Sequence, residues 1–275
     1  MAKIRLVISG GSAKGILEAV GALNAISDRG YDVEIGAGTS AGGIVLGGLA
    51  SGRSPAQMEL LMMSMDFTKY ISTGFFSLLR LAAKGNLSDG SKLLSFFESV
   101  TEKKKFKDAR FDLRITASDF ERGQPRVFSK ETDPEMPIAL AMRITSAFPL
   151  GFSAAKYDGR WYKDGGVYQH VPVSAGAREI FPMVVFAMAH EHSEKAEEKW
   201  AADVGLLKEA GRTVDLLVDA NVHAEIENAP QNAVIAYSDC LGYGTFKFDF
   251  TKDEKTRLFK HGYDVMKDAM TKAGM

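Results

Sequence analysis

The chain has 275 residues, 45% of them hydrophobic, and a formal net charge of -1. That is enough apolar material for one sizeable core, and the balanced charge, without a long run of one sign, leaves no footprint for nucleic acid. A single cysteine, Cys240, excludes an internal disulfide framework and reads as a small buried apolar residue.

The first run, Lys3-Ile4-Arg5-Leu6-Val7-Ile8-Ser9, is too brief for the apolar region of a signal peptide. Residues 4–8 read instead as a buried strand. A glycine-rich turn follows at Gly10-Gly11-Ser12-Ala13-Lys14-Gly15, and then Ile16, Leu17, Val20, Leu23 and Ile26 recur at helical spacing, with Gly30 at the expected helix end. Residues 33–37 form the second expected strand. A second glycine turn, Gly38-Thr39-Ser40-Ala41-Gly42-Gly43, leads into a helix begun by Ile44, Leu46 and Leu49. Strand, glycine turn and helix, repeated, predict an α/β fold with a mostly parallel central sheet between layers of helices. Right-handed crossovers put both glycine turns at the carboxyl edge of that sheet, where open α/β sheets bind ligands.

Ser54-Pro55 opens another helix, serine as N-cap and proline at the first helical position. Residues 66–83 concentrate Phe67, Tyr70, Ile71, Phe75, Phe76, Leu78, Leu79 and Leu81, bordered by Lys69 and Arg80 and preceded by Met62, Met63 and Met65. This segment reads either as core or as an apolar cap, forming an acyl-chain wall or facing a membrane. Lys103-Lys104-Lys105 with Lys107 reads as the solvated end of a helix. Strands are expected at 111–118, 125–129, 182–189 and 232–238, and helices at 137–146 and 195–220. Thr251-Lys252-Asp253-Glu254 is a capping box that opens a last helix to about residue 272. No stretch of ~18 apolar residues occurs, so any membrane contact is expected to be peripheral.

Three motifs carry chemistry. Gly38-Thr39-Ser40-Ala41-Gly42 fits the G-x-S-x-G nucleophile elbow, which needs serine exposed on a sharp strand-to-helix turn. The positive end of the following helix then favours negative charge developing at Ser40. Backbone N–H groups of the Gly10–Gly15 turn make an anion site suited to a phosphate or to an oxyanion. Ser12 spoils a dinucleotide fingerprint and Gly15 spoils a Walker-type loop. Asp164-Gly165-Gly166, after the strand-like Trp161-Tyr162-Lys163, reads by itself either as a hairpin turn or as an aspartate held close to another loop. His223 or His261 would be the base of a Ser-Asp-His triad. Only 39 residues precede Ser40, fewer than an α/β-hydrolase places before its elbow, which argues against that triad. His190 and His192 match no zinc spacing, and no metal or cofactor is expected.

In this order the motifs resemble those of the patatin-like phospholipase family, which shares a catalytic core with cytosolic phospholipase A2. The resemblance runs from Ile4 to Tyr263. Supporting matches are Arg143-Ile144-Thr145-Ser146-Ala147-Phe148-Pro149 and the run from Asp164 to Pro172. It implies a three-layer α/β/α fold in one domain over 1–275, and a Ser40–Asp164 dyad without histidine. By the same resemblance, backbone N–H groups of Gly10, Gly11 and Ser12 hold the oxyanion, and Gly38, Gly42, Gly165 and Gly166 shape the turns. Lys14 takes the family's basic position, as loop support or as a site for a phosphate headgroup. Two departures stand out. Ser12 replaces a glycine, which requires a negative φ or an altered loop. Gln169-His170 replaces an Asn-Asn pair, with His170 either modulating the dyad loop or serving structure.

The expected function is that of a serine lipid acyl hydrolase of phospholipase A or lysophospholipase type, acting on a phospholipid or other ester lipid at a peripheral membrane surface. The alternatives are a non-catalytic lipid-binding protein of the same fold and a general carboxylesterase. The expected location is the cytoplasm or a membrane surface, with export by a route lacking a cleavable leader also open.

Overall fold

The computed structural model describes residues 1–71, 83–176, 181–189 and 206–275. Its strands are β1 (Ala2–Ile8), β2 (Tyr31–Gly38), β3 (Asn86–Ser88), β4 (Asp112–Asp119), β5 (Gln124–Ser129), β6 (Leu150–Phe152), β7 (Ala155–Tyr157), β8 (Arg160–Asp164), β9 (Met183–Met188) and β10 (Val234–Ser238). The longer helices are α1 (Ser12–Asp28), α2 (Ala41–Ala50), α3 (Pro55–Ser64), α4 (Ser91–Thr101), α5 (Ile138–Thr145), α6 (Leu206–Ile226) and α7 (Lys252–Lys272). The main sheet runs β10-β9-β1-β2-β4-β8-β7, with β5 also paired to β4. From β10 to β4 the neighbours are parallel. Beyond β4 the pairing turns antiparallel, so the expected parallel sheet holds for its centre and gives way at one side.

β1 has apolar side chains on both faces because it is covered on both. Ile4, Leu6 and Ile8 join a large core with Leu17 and Leu23 of α1, Met58 of α3, Met142 of α5 and Leu258 of α7. Val7 points the other way, into a smaller core with Ala37, Val185 and Val222 of α6. Helices thus cover both faces of the sheet, in three layers.

Local signals agree with these elements. The capping box predicted at Thr251 is formed with Glu254, and the N-cap predicted at Ser54 proves to be a capping box as well, with Gln57 as its reciprocal partner. The Lys103–Lys107 run is solvated as expected, with Lys103 and Lys107 exposed and Lys104 partly covered. Lys104 Nζ donates to the carbonyl of Ser51, and Lys105 and Lys107 both pair with Glu135. Part of the 66–83 segment and the start of the helix expected at 195 lie outside the described residues, as do Phe75, Phe76, His190 and His192. Among the described residues no helix is long and apolar enough to cross a membrane.

α1 and α7 cross at van der Waals contact. A Cβ on Gly21 would fall 2.0 Å from the Phe259 carbonyl oxygen, and one on Gly262 would fall 2.1 Å from that of Glu18. Glu18 is fully buried at this crossing, accepting from Ser238 and bonded to His261 Nδ1 at 2.8 Å. The crossing fixes α1, and with it the glycine turn at the start of α1. Gly262→Ala is expected to lower stability by about 1–3 kcal/mol, the usual cost of overpacking. A denaturant midpoint that does not move would show that the helices separate freely.

Candidate active site

Ser40 sits on a tight turn closed by the Gly42 N–H donating to the Thr39 carbonyl at 2.9 Å. Its φ of 50° and ψ of -113° belong to a turn position normally given to glycine. Holding a serine there costs about 1–3 kcal/mol, and the surroundings supply the restraint. The Ser40 N–H donates to Thr145 Oγ1 at 2.8 Å. Thr39 Oγ1 donates to the Gln169 carbonyl at 3.0 Å and shares a hydrogen bond with Thr116 Oγ1 at 2.6 Å. α2 begins at the next residue and aims the positive end of its dipole at Ser40.

Asp164 is the last residue of β8, opposite Ala117 of β4. The residues after it form a single 3-10 turn, Gly165–Val167, so the hairpin alternative for Asp-Gly does not hold. Asp164 is 4% exposed, its carboxylate accepts from the Gly166 N–H at 2.7 Å, and the nearby Ser40 hydroxyl favours its charged form. Its backbone is fixed by Asp164 N–H to the Ala147 carbonyl at 3.2 Å and by Ser118 Oγ to the Asp164 carbonyl at 2.8 Å. Burial pushes the carboxyl up to about 7, against the lowering effect of the Gly166 hydrogen bond and the nearby Ser40 hydroxyl.

The loop from Gly10 to Lys14 approaches from β1. Gly10 does not leave its N–H free for an oxyanion, as the resemblance implied, because that group donates to the His170 carbonyl at 3.1 Å. The free donors lie one step on, at the N-terminus of α1. Ser12 adopts φ 56°, not the negative φ that a serine prefers. The loop accommodates this through the side chain, since Ser12 Oγ donates to the Thr245 carbonyl at 2.7 Å. Lys14 Nζ donates to the neighbouring Tyr243 carbonyl, the loop-supporting contact of its two expected roles. Ser12 and Lys14 together draw the 243–245 loop over the start of α1.

His170 is a wedge. A Cβ on Gly10 would fall 2.4 Å from its Cε1, and one on Gly166 2.8 Å from its Nδ1. The ring therefore separates the β1 loop from the aspartate loop, and both loops need glycine to meet it. Burial pushes the imidazole down to about 4, and neither ring nitrogen has a hydrogen-bond partner among the described residues. Its backbone is tied to α6, with Asn221 Oδ1 accepting from the His170 N–H at 2.8 Å and Glu225 Oε2 accepting from Val171 at 3.1 Å. Burial raises the Glu225 carboxyl to about 8.

The other histidines lie elsewhere. His261 is bound to Glu18, and His223 lies against Tyr237 with ring centroids 6.5 Å apart. Neither borders the space at Ser40. Among the described residues no cluster of three or more side chains could hold a metal ion.

Two cavities open from Ser40. A narrow one of about 50 Å³ is almost wholly apolar, bounded by Ile16, Ile44, Met62, Phe67, Ile71 and Phe97 among others. The described part of the apolar segment from residue 66 thus forms a wall beside Ser40. A wide one of about 650 Å³ takes in Gly11, Ser12, Lys14, Asp164, Gly166 and His170. The sequence had singled out Ser40, Asp164 and the glycine turns. Thr145 and Ala147 stood inside a quoted motif without a role, which the structure supplies by bonding them to Ser40 and Asp164. Asn221 and Glu225 carried no sequence signal, because a helix surface residue that reaches a loop backbone looks like any other solvated position.

A family model described as patatin-like phospholipase matches residues 6–176. A probable lipid hydrolase, 463L of Invertebrate iridescent virus 6, is 24% identical over 214 residues, covering 74% of this chain and 69% of that protein. The uncharacterized protein YqhO of Bacillus subtilis is 27% identical over 214 residues, covering 70% of this chain and 73% of its own. The crystal structure of VipD from Legionella pneumophila superposes with a TM-score of 0.59 at 16% identity, over 98% of this chain and 67% of that one. ExoU of the Pseudomonas aeruginosa type III secretion system, solved in complex with SpcU, gives a TM-score of 0.53 at 19% identity and covers 98% of this chain. The present chain spans about half the length of ExoU, 52%. These two likenesses establish a shared fold.

The buried carboxylate also affects stability. A carboxyl raised in the folded state leaves stability intact below the unfolded value near 4 and removes it as the pH rises through about 7. Asp164→Asn is therefore expected to raise the melting temperature at pH 8, with the gain vanishing near pH 4. An equal shift at both pH values would place the effect in packing and not in the charge.

Proposed function

The chain belongs to the patatin-like phospholipase family, and on that premise we propose that it is a serine acyl hydrolase cleaving fatty-acyl esters of glycerolipids, of phospholipase A or lysophospholipase type. Family membership supports lipid hydrolysis in general. The observation that carries the finer reading is the buried Asp164 carboxyl, which borders the same cavity as Ser40 and is raised by burial to about 7. A general base works best when its pKa lies near the working pH.

In the proposed mechanism Ser40 Oγ attacks the ester carbonyl carbon while its proton passes to Asp164. The carbonyl oxygen becomes an oxyanion, held by N–H groups of Gly11 and Ser12 at the positive end of α1. As the carbon–oxygen bond breaks, Asp164 returns the proton to the leaving alcohol. Water then enters, Asp164 takes its proton, and the acyl-enzyme is hydrolysed to fatty acid and free Ser40. No histidine is needed in this scheme, since a single carboxylate serves as base and then as acid. The apolar cavity takes the acyl chain and the wide cavity the glycerol and headgroup. The whole chain acts as one hydrolase unit, because β9 and β10 complete the sheet beyond the family match and Met188 of β9 borders the wide cavity.

The raised carboxyl predicts the pH dependence. For a soluble 4-nitrophenyl ester, kcat/KM is expected to rise with pH through a midpoint near 7, as Asp164 loses its proton. Asp164→Asn should cost about 10²–10⁴-fold in kcat, the usual worth of a positioned base. Full activity in Asp164→Asn, with loss on replacing a histidine, would contradict the dyad. Lipid binding without turnover by the unsubstituted protein would favour a non-catalytic role.

A further inference from the structure

Of the residues bordering the two cavities, Ser12, Ser40 and Phe148 border both. Ser40 and Ser12 do so because the reacting carbonyl must lie where the cavities meet. Phe148 has no such chemical reason. Its ring is fixed between aromatic neighbours drawn from both sides. Phe152 meets it edge-on at 5.7 Å and Phe248 stacks on it at 6.3 Å and 19°, and both border the narrow cavity. Phe246 meets it at 5.8 Å and borders the wide one. Beneath the ring lies Gly151, where a Cβ would fall 2.1 Å from Phe148 Cζ. The ring is therefore held in place, and it stands between the two spaces at the reacting serine.

We propose that Phe148 is a specificity-determining residue, the partition that confines the acyl half of the ester to the narrow cavity and so selects unbranched chains. The inference rests on the acyl-hydrolase reading and adds to it the shape of the acyl group. A straight chain leaves the carbonyl along one line and enters the narrow cavity alone. A chain branched beside the carbonyl needs a second direction, and the Phe148 ring closes it. Removing the ring joins the two spaces exactly where the branch would lie, while leaving Ser40, Asp164 and the loop donors untouched.

The test compares two isomeric esters with one leaving group, 4-nitrophenyl octanoate and 4-nitrophenyl 2-propylpentanoate, on the full chain. The ratio of their kcat/KM values cancels the shared chemistry, and changes between variants cancel the intrinsic sluggishness of the branched ester. Phe148→Ala is expected to lower the straight-to-branched ratio by about tenfold, the scale of discrimination by shape in an apolar pocket, through a gain on the branched ester. Phe148→Leu keeps most of the apolar volume without overpacking the site and is expected to lower the ratio in the same direction by a smaller factor; it decides the matter if the alanine variant does not fold. An unchanged ratio, with both esters slowed alike, overturns the partition and leaves Phe148 a packing residue. If the folded, unsubstituted protein hydrolyses neither ester, the acyl-hydrolase reading itself fails and the partition falls with it.

Discussion

A side chain at Gly42 would come within 2.2 Å of the carbonyl oxygen of Ile8, and the rest of the site depends on that close approach. It lets the turn after β2 lie directly on the end of β1. Thr39 then donates to the Ile8 carbonyl at 3.2 Å, and Gly42 to the Ser9 carbonyl at the same distance. Ser9 carries the lacing to the third strand, its Oγ accepting from the Met188 N–H at 2.8 Å. Three parallel strand ends are thereby locked together at the carboxyl edge of the sheet. Ser40 and the start of α1 face each other because the strands beneath them cannot move apart.

The site is expensive to maintain. Ser40 and Ser12 both hold positive φ, Asp164 is buried at the end of a strand, and the His170 ring lies buried beside two glycines. Each feature costs stability, and each is fixed by a contact from another element. Thr145 of α5 holds the Ser40 N–H, the Thr245 carbonyl takes the Ser12 hydroxyl, and Asn221 of α6 holds the His170 backbone. The strain is thus distributed over both faces of the sheet, a pattern expected where geometry serves chemistry more than stability.

Much of this was legible in the sequence, for physical reasons that differ from element to element. The elbow could be read because glycine at positions 38 and 42 is what a strand-to-helix turn of this tightness demands. The first two strands and helices were readable from apolar runs ending at turns, and the last helix from its capping box. On the far side of the sheet β5 and the middle of β8 were readable as strands, but β7 and the antiparallel pairing were not, since these strands are short and carry mixed polarity. The exact donors of the β1 loop were also hidden. Gly10 and Gly11 look alike in sequence, and only the approach of His170 turns the Gly10 N–H away from Ser40. Ser12 looked unfavourable because its partner, the Thr245 carbonyl, lies 233 residues along the chain.

The central claim is that Asp164 activates Ser40. Labelling by a fluorophosphonate, followed by intact mass measurement and peptide mapping, tests it directly, because phosphonylation needs the nucleophile and its base without any lipid or membrane. The account predicts one adduct, on Ser40, formed faster as the pH rises through 7, abolished in Ser40→Ala and strongly slowed in Asp164→Asn. An adduct on another residue, or a Ser40 adduct formed at the same rate in Asp164→Asn, would contradict it.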